Sequence, residues 1–364
     1  MKLSTTKTGP LAGCRIVEFD AIGPVPLAGM ILSDLGADIV RIGRPGKAGV
    51  DAPGDKILLR GRNKIALDLK DPEQRDQAMA LVSKADALLE GTRPGVMERL
   101  GLGPEDCFAH NPKLAYGRMT GWGQEGPLSQ SAGHDLDYIA ITGALGAMGR
   151  KGEPPSPPLN LVGDYGGGTM FLALGIVSAI LSARTTGKGQ VVDAAMTDGA
   201  AVLMSMFYAF HDVGMWKAER EANLLDGGTP FYRCYETADG GYMAVGALEP
   251  QFFAVLLEKL EIDAADFPQY DRARWGDMVT AFETRFASRT RDEWAAHFEG
   301  SDACVAPVLS IAEAPAHPHN VARQTFAERD GTMHPMPAPR FSGTPAAIGN
   351  SSDLDIEEAL ALWE

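Results

Sequence analysis

Three polar side chains stand where they could move protons. His134 lies in SAGHDLDY, Asp164 precedes three glycines in NLVGDYGGGTM, and Glu249 follows an apolar run in VGALEPQFF. Imidazole and carboxyl groups are general acids and bases in enzymes. Each residue also has an ordinary structural explanation, because a lone histidine is usually held by a backbone partner, while Asp and Glu are common where helices begin. We therefore treat the three as candidates for acid–base chemistry.

The surroundings of Asp164 favour a substrate that reaches the backbone. Three glycines at 166–168 leave room for close approach. A helix beginning there would offer free N–H groups to a developing oxyanion. We predict that this helix runs from Thr169 to Arg184 and, because it has no polar face, that it is buried on most sides.

Other chemistries find no support in the sequence. There is no P-loop, GxSxG or HExxH pattern, and the first strand-to-helix turn, GPVPLAG (23–29), lacks the GxGxxG spacing. His317 and His319 stand two apart without further ligands, and the four cysteines form no CxxC pair. We therefore expect no bound metal and no nicotinamide or flavin cofactor. The scattered cysteines favour a reducing compartment.

The elements that must position these groups alternate strand and helix through the first 120 residues. Apolar runs typical of buried strands occupy 15–19, 38–42, 64–69, 86–90 and 114–119. We predict a helix over 26–36, and a second that is capped by Asp71, with Pro72 at its first position and Gln74 completing a capping box. This order predicts an α/β fold with a parallel, doubly wound sheet.

A smaller α+β domain is predicted further along the chain. Residues 231–246 read as a hairpin with an Asp239–Gly240 turn, followed by helices near 251–261 and 272–287 and a returning strand within 301–310. The Pro-rich stretch 334–345 should run extended before a short C-terminal helix.

Composition excludes several partners. The 364 residues carry 33 Lys+Arg against 48 Asp+Glu, a net charge of -15, which disfavours general binding to nucleic acid or anionic membranes. No signal-peptide h-region and no run of 18 apolar residues occurs, so we expect a cytoplasmic, unanchored protein. One segment, 41–70, is locally basic, and it is either an ordinary solvated loop or a site for a phosphorylated ligand. Its eight basic and three acidic side chains are Arg41, Arg44, Lys47, Lys56, Arg60, Arg62, Lys64 and Lys70, with Asp51, Asp55 and Asp68.

A set of ordered motifs resembles the family III CoA-transferase superfamily over nearly the whole chain. The motifs are SDLGADIVRIGRPG (33–46), EGTRPGVMERLGLG (90–103), GWGQEGP (121–127), GHDLDY (133–138), LVGDYGGG (161–168) and GKGQVVDAAMTDG (187–199). The resemblance implies a Rossmann-like large domain, 1–194, completed by 326–364. It also implies linker helices over 195–227, a small α+β domain over 228–303 and a return linker over 304–325. Two such chains would interlock as a dimer.

The resemblance also implies a division of roles at a site shared between subunits. His134, paired with Glu249 of the partner subunit, and Asp164 would be the catalytic acid–base groups. Contacts to CoA are implied for a larger set of residues: Arg44, Leu67, Asp68, Leu69, Lys70, Glu90, Gly91, Arg93, Arg99, Gly133, Asp135 and Tyr138. The chain departs from the family at Gly43, where an acidic residue is common, and at Thr92, where an aromatic one is, which affects how the nucleotide end of CoA is seated.

Three activities are compatible with these motifs. Within the superfamily they resemble the members that invert the 2-methyl-bearing carbon of acyl-CoA thioesters by proton transfer through an enolate, with CoA as part of the substrate and no further cofactor. The alternative is a CoA-transferase in which Asp164 is the nucleophile, and a third is an acyl-CoA-binding protein without turnover. His134 together with Glu249 in ALEPQ favours the first, since the transferases place a glycine-rich loop near the latter position.

Overall fold

The chain divides into two compact units. A computed structural model describes residues 7–46 and 54–364; Lys47 and Asp51 of the basic segment lie outside the described residues. The first unit comprises the chain up to Ala144, Pro158–Ser205 and Val321–Glu364, and the second comprises Leu145–Pro157 and Met206–Asn320.

The strands have the following bounds: β1 (Arg15–Phe19), β2 (Asp38–Gly43), β3 (Arg62–Ala66), β4 (Ala87–Glu90), β5 (Ala115–Thr120), β6 (Gln190–Ala195), β7 (Tyr232–Glu236), β8 (Tyr242–Gly246), β9 (Val305–Pro307), β10 (Phe326–Arg329), β11 (Thr332–Pro335) and β12 (Ser352–Asp353).

The α-helices have the following bounds: α1 (Pro24–Asp34), α2 (Asp55–Leu58), α3 (Pro72–Lys84), α4 (Val96–Arg99), α5 (Pro104–His110), α6 (Asp135–Ala140), α7 (Met170–Thr186), α8 (Met196–Leu203), α9 (Ser205–Asp212), α10 (Pro250–Lys259), α11 (Trp275–Phe286), α12 (Arg291–Phe298), α13 (Pro318–Arg323) and α14 (Ile356–Ala361). A π-helical segment, Leu161–Thr169, leads directly into α7.

The first unit is built on a parallel sheet, as the sequence predicts. Its strand order is β12-β3-β2-β1-β4-β5-β6, and its strands pair in parallel. The chain moves outward from β1 in both directions, to β2 on one side and to β4 on the other. In such a sheet the crevice beyond the carboxyl ends of the central strands is where ligands collect. The sheet thus confirms the predicted α/β class.

Helices cover both faces of this sheet because its central strands are apolar on both sides. On one face Ile16 and Leu89 pack with Ile176 of α7. On the other, Val17 packs in a cluster with Leu81 of α3 and with Trp363, at the end of the predicted C-terminal helix. Both faces of β1 are therefore buried.

Several boundaries differ from prediction. Strand β3 ends at Ala66 and not at residue 69 as predicted, because the chain turns at 67–70. The last hydrogen bond to β2 runs from the N–H of Leu67 to the carbonyl of Gly43 (2.9 Å). Strand β6 was not predicted; its outer half is exposed, so it lacks a continuous apolar run. A hairpin of β10 and β11 was also missed, although its Asp330–Gly331 turn, with both φ angles positive, is a recognisable hairpin signal.

Helix α7, predicted to be buried on most sides, also has an exposed apolar stripe. Met170, Leu174 and Leu181 lie on one stripe and are 53%, 64% and 67% exposed in the single chain. With the π-helical segment it forms the run Leu161–Thr186, which among the described helices is the one with the length and hydropathy of a membrane span. Half of its most apolar stretch is buried, as in a core helix, so this finding is weak support for a membrane span.

The second unit contains the predicted hairpin. β7 and β8 pair antiparallel from Tyr232↔Gly246 to Glu236↔Tyr242, and β9 adds a third antiparallel strand beside β8. Tyr235 packs in an aromatic core with Phe282 and Phe286 of α11 and Trp294 of α12. These helices cover one face of the small sheet.

Candidate active site

Asp164 sits inside the π-helical segment, not at the start of an α-helix as predicted. The wide turn is possible because glycines follow it: a Cβ at Gly167 would lie 2.7 Å from the amide nitrogen of Ala200 and 2.9 Å from the carbonyl oxygen of Met196. The segment therefore packs backbone against backbone on α8. Oxyanion-binding N–H groups from the start of α7 are consequently not available beside Asp164, because the helical hydrogen bonds continue through this segment.

The carboxyl of Asp164 is partly buried and sparsely bonded. Its Oδ2 accepts a hydrogen bond from Asn160 Nδ2 (3.2 Å), and its backbone N–H donates to Asp135 Oδ1 (2.6 Å). Burial raises the pKa of Asp164 above its usual value; the Asn160 bond lowers it, the charge of Asp135 raises it, and His134 lowers it. The net upward shift lets this carboxyl carry a proton closer to neutral pH than an exposed Asp does.

His134 caps α6 through its backbone and leaves its ring unengaged. Its N–H donates to Asp137 Oδ2 (3.0 Å), and its carbonyl accepts from the N–H of Asp137 (2.9 Å). The ring is exposed and makes no hydrogen bond within 7–46 and 54–364. It lies close enough to Asp164 for its charge to act on that carboxyl. The explanation that this histidine is satisfied by a backbone partner therefore fails in the isolated chain.

Tyr138 and Gly133 fix the loop that presents His134. The Tyr138 hydroxyl donates to the carbonyl of Gly133, and its ring packs edge-on against Trp122 with centroids 4.8 Å apart. Burial raises the pKa of Tyr138, and the charge of Asp164 raises it further. Both residues were implied as CoA contacts, and the structure shows them supporting the loop that carries His134.

Glu249 belongs to the second unit. It is the exposed N-cap residue of α10 and makes no side-chain cap. The turn before it is held at the carbonyl of Leu248, which accepts from Gln269 Nε2 (2.9 Å) and from the Tyr270 hydroxyl (3.0 Å). Burial raises the pKa of the Cys304 thiol, and the charge of Glu249 raises it further.

Most of the implied CoA contacts follow the carboxyl ends of neighbouring strands. Arg44 comes directly after β2, the turn 67–70 after β3, and Gly91 and Arg93 after β4. Gln74 does not complete the predicted capping box; its Oε1 accepts from the N–H of Asp68 (2.8 Å) and so stabilises the turn instead. The side chains of Arg44, Lys70, Arg93 and Arg99 are exposed at this edge or just beyond it.

Besides Tyr138, three of the implied contacts are buried. Glu90 has no exposed surface: its carboxylate accepts from the N–H (2.6 Å) and hydroxyl (2.8 Å) of Thr92 and from Arg118 Nε (2.9 Å). Thr92, which replaces the usual aromatic residue, thus holds its own loop against Glu90. Asp135 and Leu67 are also buried, so these residues support the edge from within.

The basic segment is not a continuous basic surface. Arg60 is buried against Asp34 (Nε to Oδ1, 3.1 Å), Arg62 is buried against Glu18 (Nε to Oε2, 3.0 Å), and Arg41 pairs with Asp20. The acidic partners lie outside 41–70, which is why counting charges within the segment overstated its exposed positive charge. No group of three His, Cys, Asp or Glu side chains suited to a metal occurs among the described residues.

Sequence reasoning missed Asn160 and Gly23 as site residues. Asn160 stands four residues before Asp164, a spacing that brings side chains together in a helix. A Cβ at Gly23, the N-cap of α1, would lie 3.4 Å from Asp164 Oδ2, so the β1–α1 turn faces the carboxyl. This position follows from the strand order, since the turn after β1 opens at the central crevice.

Known proteins are similar to this chain over nearly its whole length. The family model of CoA-transferase family III matches residues 11–352. The alpha-methylacyl-CoA racemase of Mus musculus is 45% identical over 350 residues, covering 96% of this chain and 91% of that protein, and the one of Homo sapiens is 43% identical with the same coverage. A crystal structure of a CAIB/BAIF family protein from Brucella suis has the same fold, with a TM-score of 0.82 at 24% identity over 98% of this chain and 99% of that one. The chain belongs to CoA-transferase family III.

Proposed function

We propose that this protein is a racemase that inverts the 2-methyl-bearing carbon of 2-methylacyl-CoA thioesters. The observation that carries the proposal is the pairing of an unbonded imidazole, His134, with a carboxyl of raised pKa, Asp164, at the carboxyl edge of the sheet. The 45% identity to a protein named as such a racemase supports the choice of substrate class.

The chemistry requires an acid and a base on opposite faces of one carbon. The thioester acidifies the proton at C2, and one group removes it to leave a planar enolate. The other group then returns a proton to the opposite face. His134 serves one face and Asp164 the other, and they exchange roles when the reaction runs backwards. Because the product is an isomer of the substrate, the step consumes no oxidant, reductant or second substrate.

Glu249 of the partner subunit orients His134 in this proposal. An unpaired imidazole needs a partner to fix its tautomer and ring orientation, and Glu249 is exposed with no cap bond to occupy it. The exposed apolar stripe of α7, formed by Met170, Leu174 and Leu181, supports an interlocked dimer in which a second copy covers this surface.

The phosphates of CoA lie against the carboxyl edge of the sheet. The cations available there are Arg44, Lys70, Arg93 and Arg99, which are exposed. Guanidinium groups suit phosphate oxygens because they donate two parallel hydrogen bonds. The turn 67–70, held by Gln74, supplies backbone groups for the nucleotide end.

Isotope exchange tests the proposal directly. A pure enantiomer of a 2-methylacyl-CoA incubated with the protein in deuterated water should lose optical purity and gain deuterium at C2. Failure of either enantiomer to exchange would exclude racemisation. If CoA instead appears on an added free acid, the transferase alternative with Asp164 as nucleophile holds.

Replacing His134 tests the two faces of the substrate C2 carbon separately. In His134→Ala, deuterium incorporation should slow by about 10²- to 10⁴-fold, which is the usual contribution of one general acid–base group. The two enantiomers should be affected unequally. His110→Ala, an exposed histidine on α5, is the matched control and should behave as the unmodified protein. Equal and negligible effects of His134→Ala on both enantiomers would remove His134 from the mechanism.

A further inference from the structure

Asp135 has a buried carboxyl with one unpartnered oxygen. The residue is 7% exposed, and its Oδ1 accepts the backbone N–H of Asp164 at 2.6 Å. Its Oδ2 is buried and has no hydrogen-bond partner among the described residues. A buried carboxylate oxygen without a partner costs free energy, so its presence calls for an explanation beyond capping or packing.

The packing around this carboxyl is close. A Cβ at Gly163 would lie 2.5 Å from Asp135 Oδ1 and 3.1 Å from the side chain of Ile139. The side chain of Asp135 therefore fits only because position 163 is glycine. Asp135 follows His134 directly in the chain and holds the backbone of Asp164, so this one residue links the two groups proposed to face the substrate carbon.

We propose that Asp135 is a positioning residue for proton transfer: its carboxylate fixes the backbone of Asp164 beside His134, and its negative charge faces the Asp164 carboxyl. This role rests on the proposed racemase function. It differs from the contact with CoA that the sequence motif implies for Asp135, because the buried carboxyl is turned toward the π-helical segment.

Among the described residues, Asp135 supplies the negative charge that acts on Asp164, while Asp137 on the same helix bonds to the backbone N–H of His134. Helix α6 contributes His134, whose charge favours the ionised carboxyl, and the phenol of Tyr138. Asn160 donates a neutral hydrogen bond, and the first turns of α1 carry no titratable side chain. Helix α8, which also packs on the π-helical segment, carries Asp198, and the charge of Asp198 acts on Asp193.

The charge of Asp135 matters to the reaction because it affects the protonation state of Asp164. A group that returns a proton in one direction and removes one in the other must populate both protonation states. A carboxyl beside a second carboxylate keeps its proton to higher pH. Each unit by which its pKa rises increases the protonated fraction about tenfold at pH values above the pKa.

Two substitutions distinguish the hydrogen bond of Asp135 to the backbone of Asp164 from the effect of its charge. Asp135→Asn keeps a side-chain oxygen to accept the N–H of Asp164 and removes the charge. It should move the pH profile of kcat to lower pH and, at neutral pH, slow the direction in which Asp164 returns the proton by about tenfold per unit of displacement. Asp135→Glu keeps the charge on a longer side chain and should give a slower enzyme with the unmodified pH profile.

The readout is deuterium incorporation from each enantiomer as a function of pH, with Asp198→Asn as the matched control. The control removes a carboxylate whose charge does not act on Asp164 and should leave the profile in place. A profile of Asp135→Asn that superimposes on that of the unmodified protein would overturn the inference. If Asp135→Asn does not fold, a displaced profile in Asp135→Glu would overturn it instead. Absence of exchange in the unmodified protein would refute the proposed function rather than the role of Asp135.

Discussion

The buried ion pair of Glu18 and Arg62 allows a quantitative test of what holds the first unit together. Both side chains are 0% exposed, and Arg62 Nε donates to Glu18 Oε2 at 3.0 Å. The guanidinium also donates to the carbonyls of Pro26, in the first turn of α1, and of Leu58, at the end of α2. Arg62 thus ties two helices to the sheet beside the β1–α1 turn that faces Asp164.

Glu18→Gln keeps the shape of the side chain and removes its charge. The guanidinium then stays buried without the carboxylate that it bonds to, and breaking a buried pair in this way costs about 3–5 kcal/mol of unfolding free energy. For a unit of this size, each kcal/mol shifts the midpoint of thermal unfolding by about 2–4 °C. We therefore expect the midpoint to fall by about 6–20 °C. The carbonyl partners of Arg62, which remain, favour the lower end of that range.

The assay is thermal unfolding followed by circular dichroism, with Asp76→Asn as the control. Asp76 pairs with Arg75 at 3.5 Å, with side chains 77% and 36% exposed, so its loss should cost less than about 1 kcal/mol. The double variant Glu18→Leu/Arg62→Met removes both charges and should recover most of the loss. The reasoning is refuted if Glu18→Gln unfolds within the range of the control, or if the double variant is less stable than the single one.

Two further predictions concern the segment that carries Asp164. Burial raises the folded-state pKa of Asp164 above its unfolded value, so its ionised form opposes folding at neutral pH and the penalty is absent below the unfolded pKa. Asp164→Asn should therefore not lower the thermal midpoint at neutral pH, and any gain in midpoint should vanish on acidification; a lower midpoint at neutral pH would contradict this. The same variant should abolish racemisation and slow deuterium exchange mainly from the enantiomer whose C2 proton faces Asp164. Gly199→Ala places a methyl group against the carbonyl of Gly167, and the resulting shift of the π-helical segment should lower kcat for both enantiomers. Its control, Gly276→Ala in α11, meets nothing within 4 Å and should stabilise the protein by about 0.4–1 kcal/mol; equal activities of the two variants would argue against the close backbone contact.

The sheet and the identity of the candidate groups could be predicted because they depend on local patterns. The apolar runs of β1, β2, β4 and β5 and the alternation with helices determine a doubly wound sheet. His134 and Asp164 were found from residue type and neighbouring glycines. The electrostatic influence of His134 on Asp164 was not predictable from spacing, since thirty residues separate them and it depends on how α6 packs on the π-helical segment.

What the sequence could not show was how side chains are paired over long distances. Asp135 reads as the first residue of a helix, and its bond to the backbone of Asp164 exists only once the two segments are packed. Arg60 and Arg62 read as exposed cations, and their acidic partners stand 26 and 44 residues away. The sequence also could not predict the π-helical turn, because a run of glycines is typical of loops and helix starts.

The exposed stripe on α7 has a consequence for the single chain and for the dimer proposed above. From Met170 to Leu181 the stripe extends for roughly 16 Å at the rise of an α-helix, and in the single chain its apolar side chains are exposed to water. While the stripe is uncovered, its apolar surface favours association with other apolar surfaces. In the proposed dimer a second copy covers this stripe, so the solubility and the protease resistance of the protein should rise with its concentration.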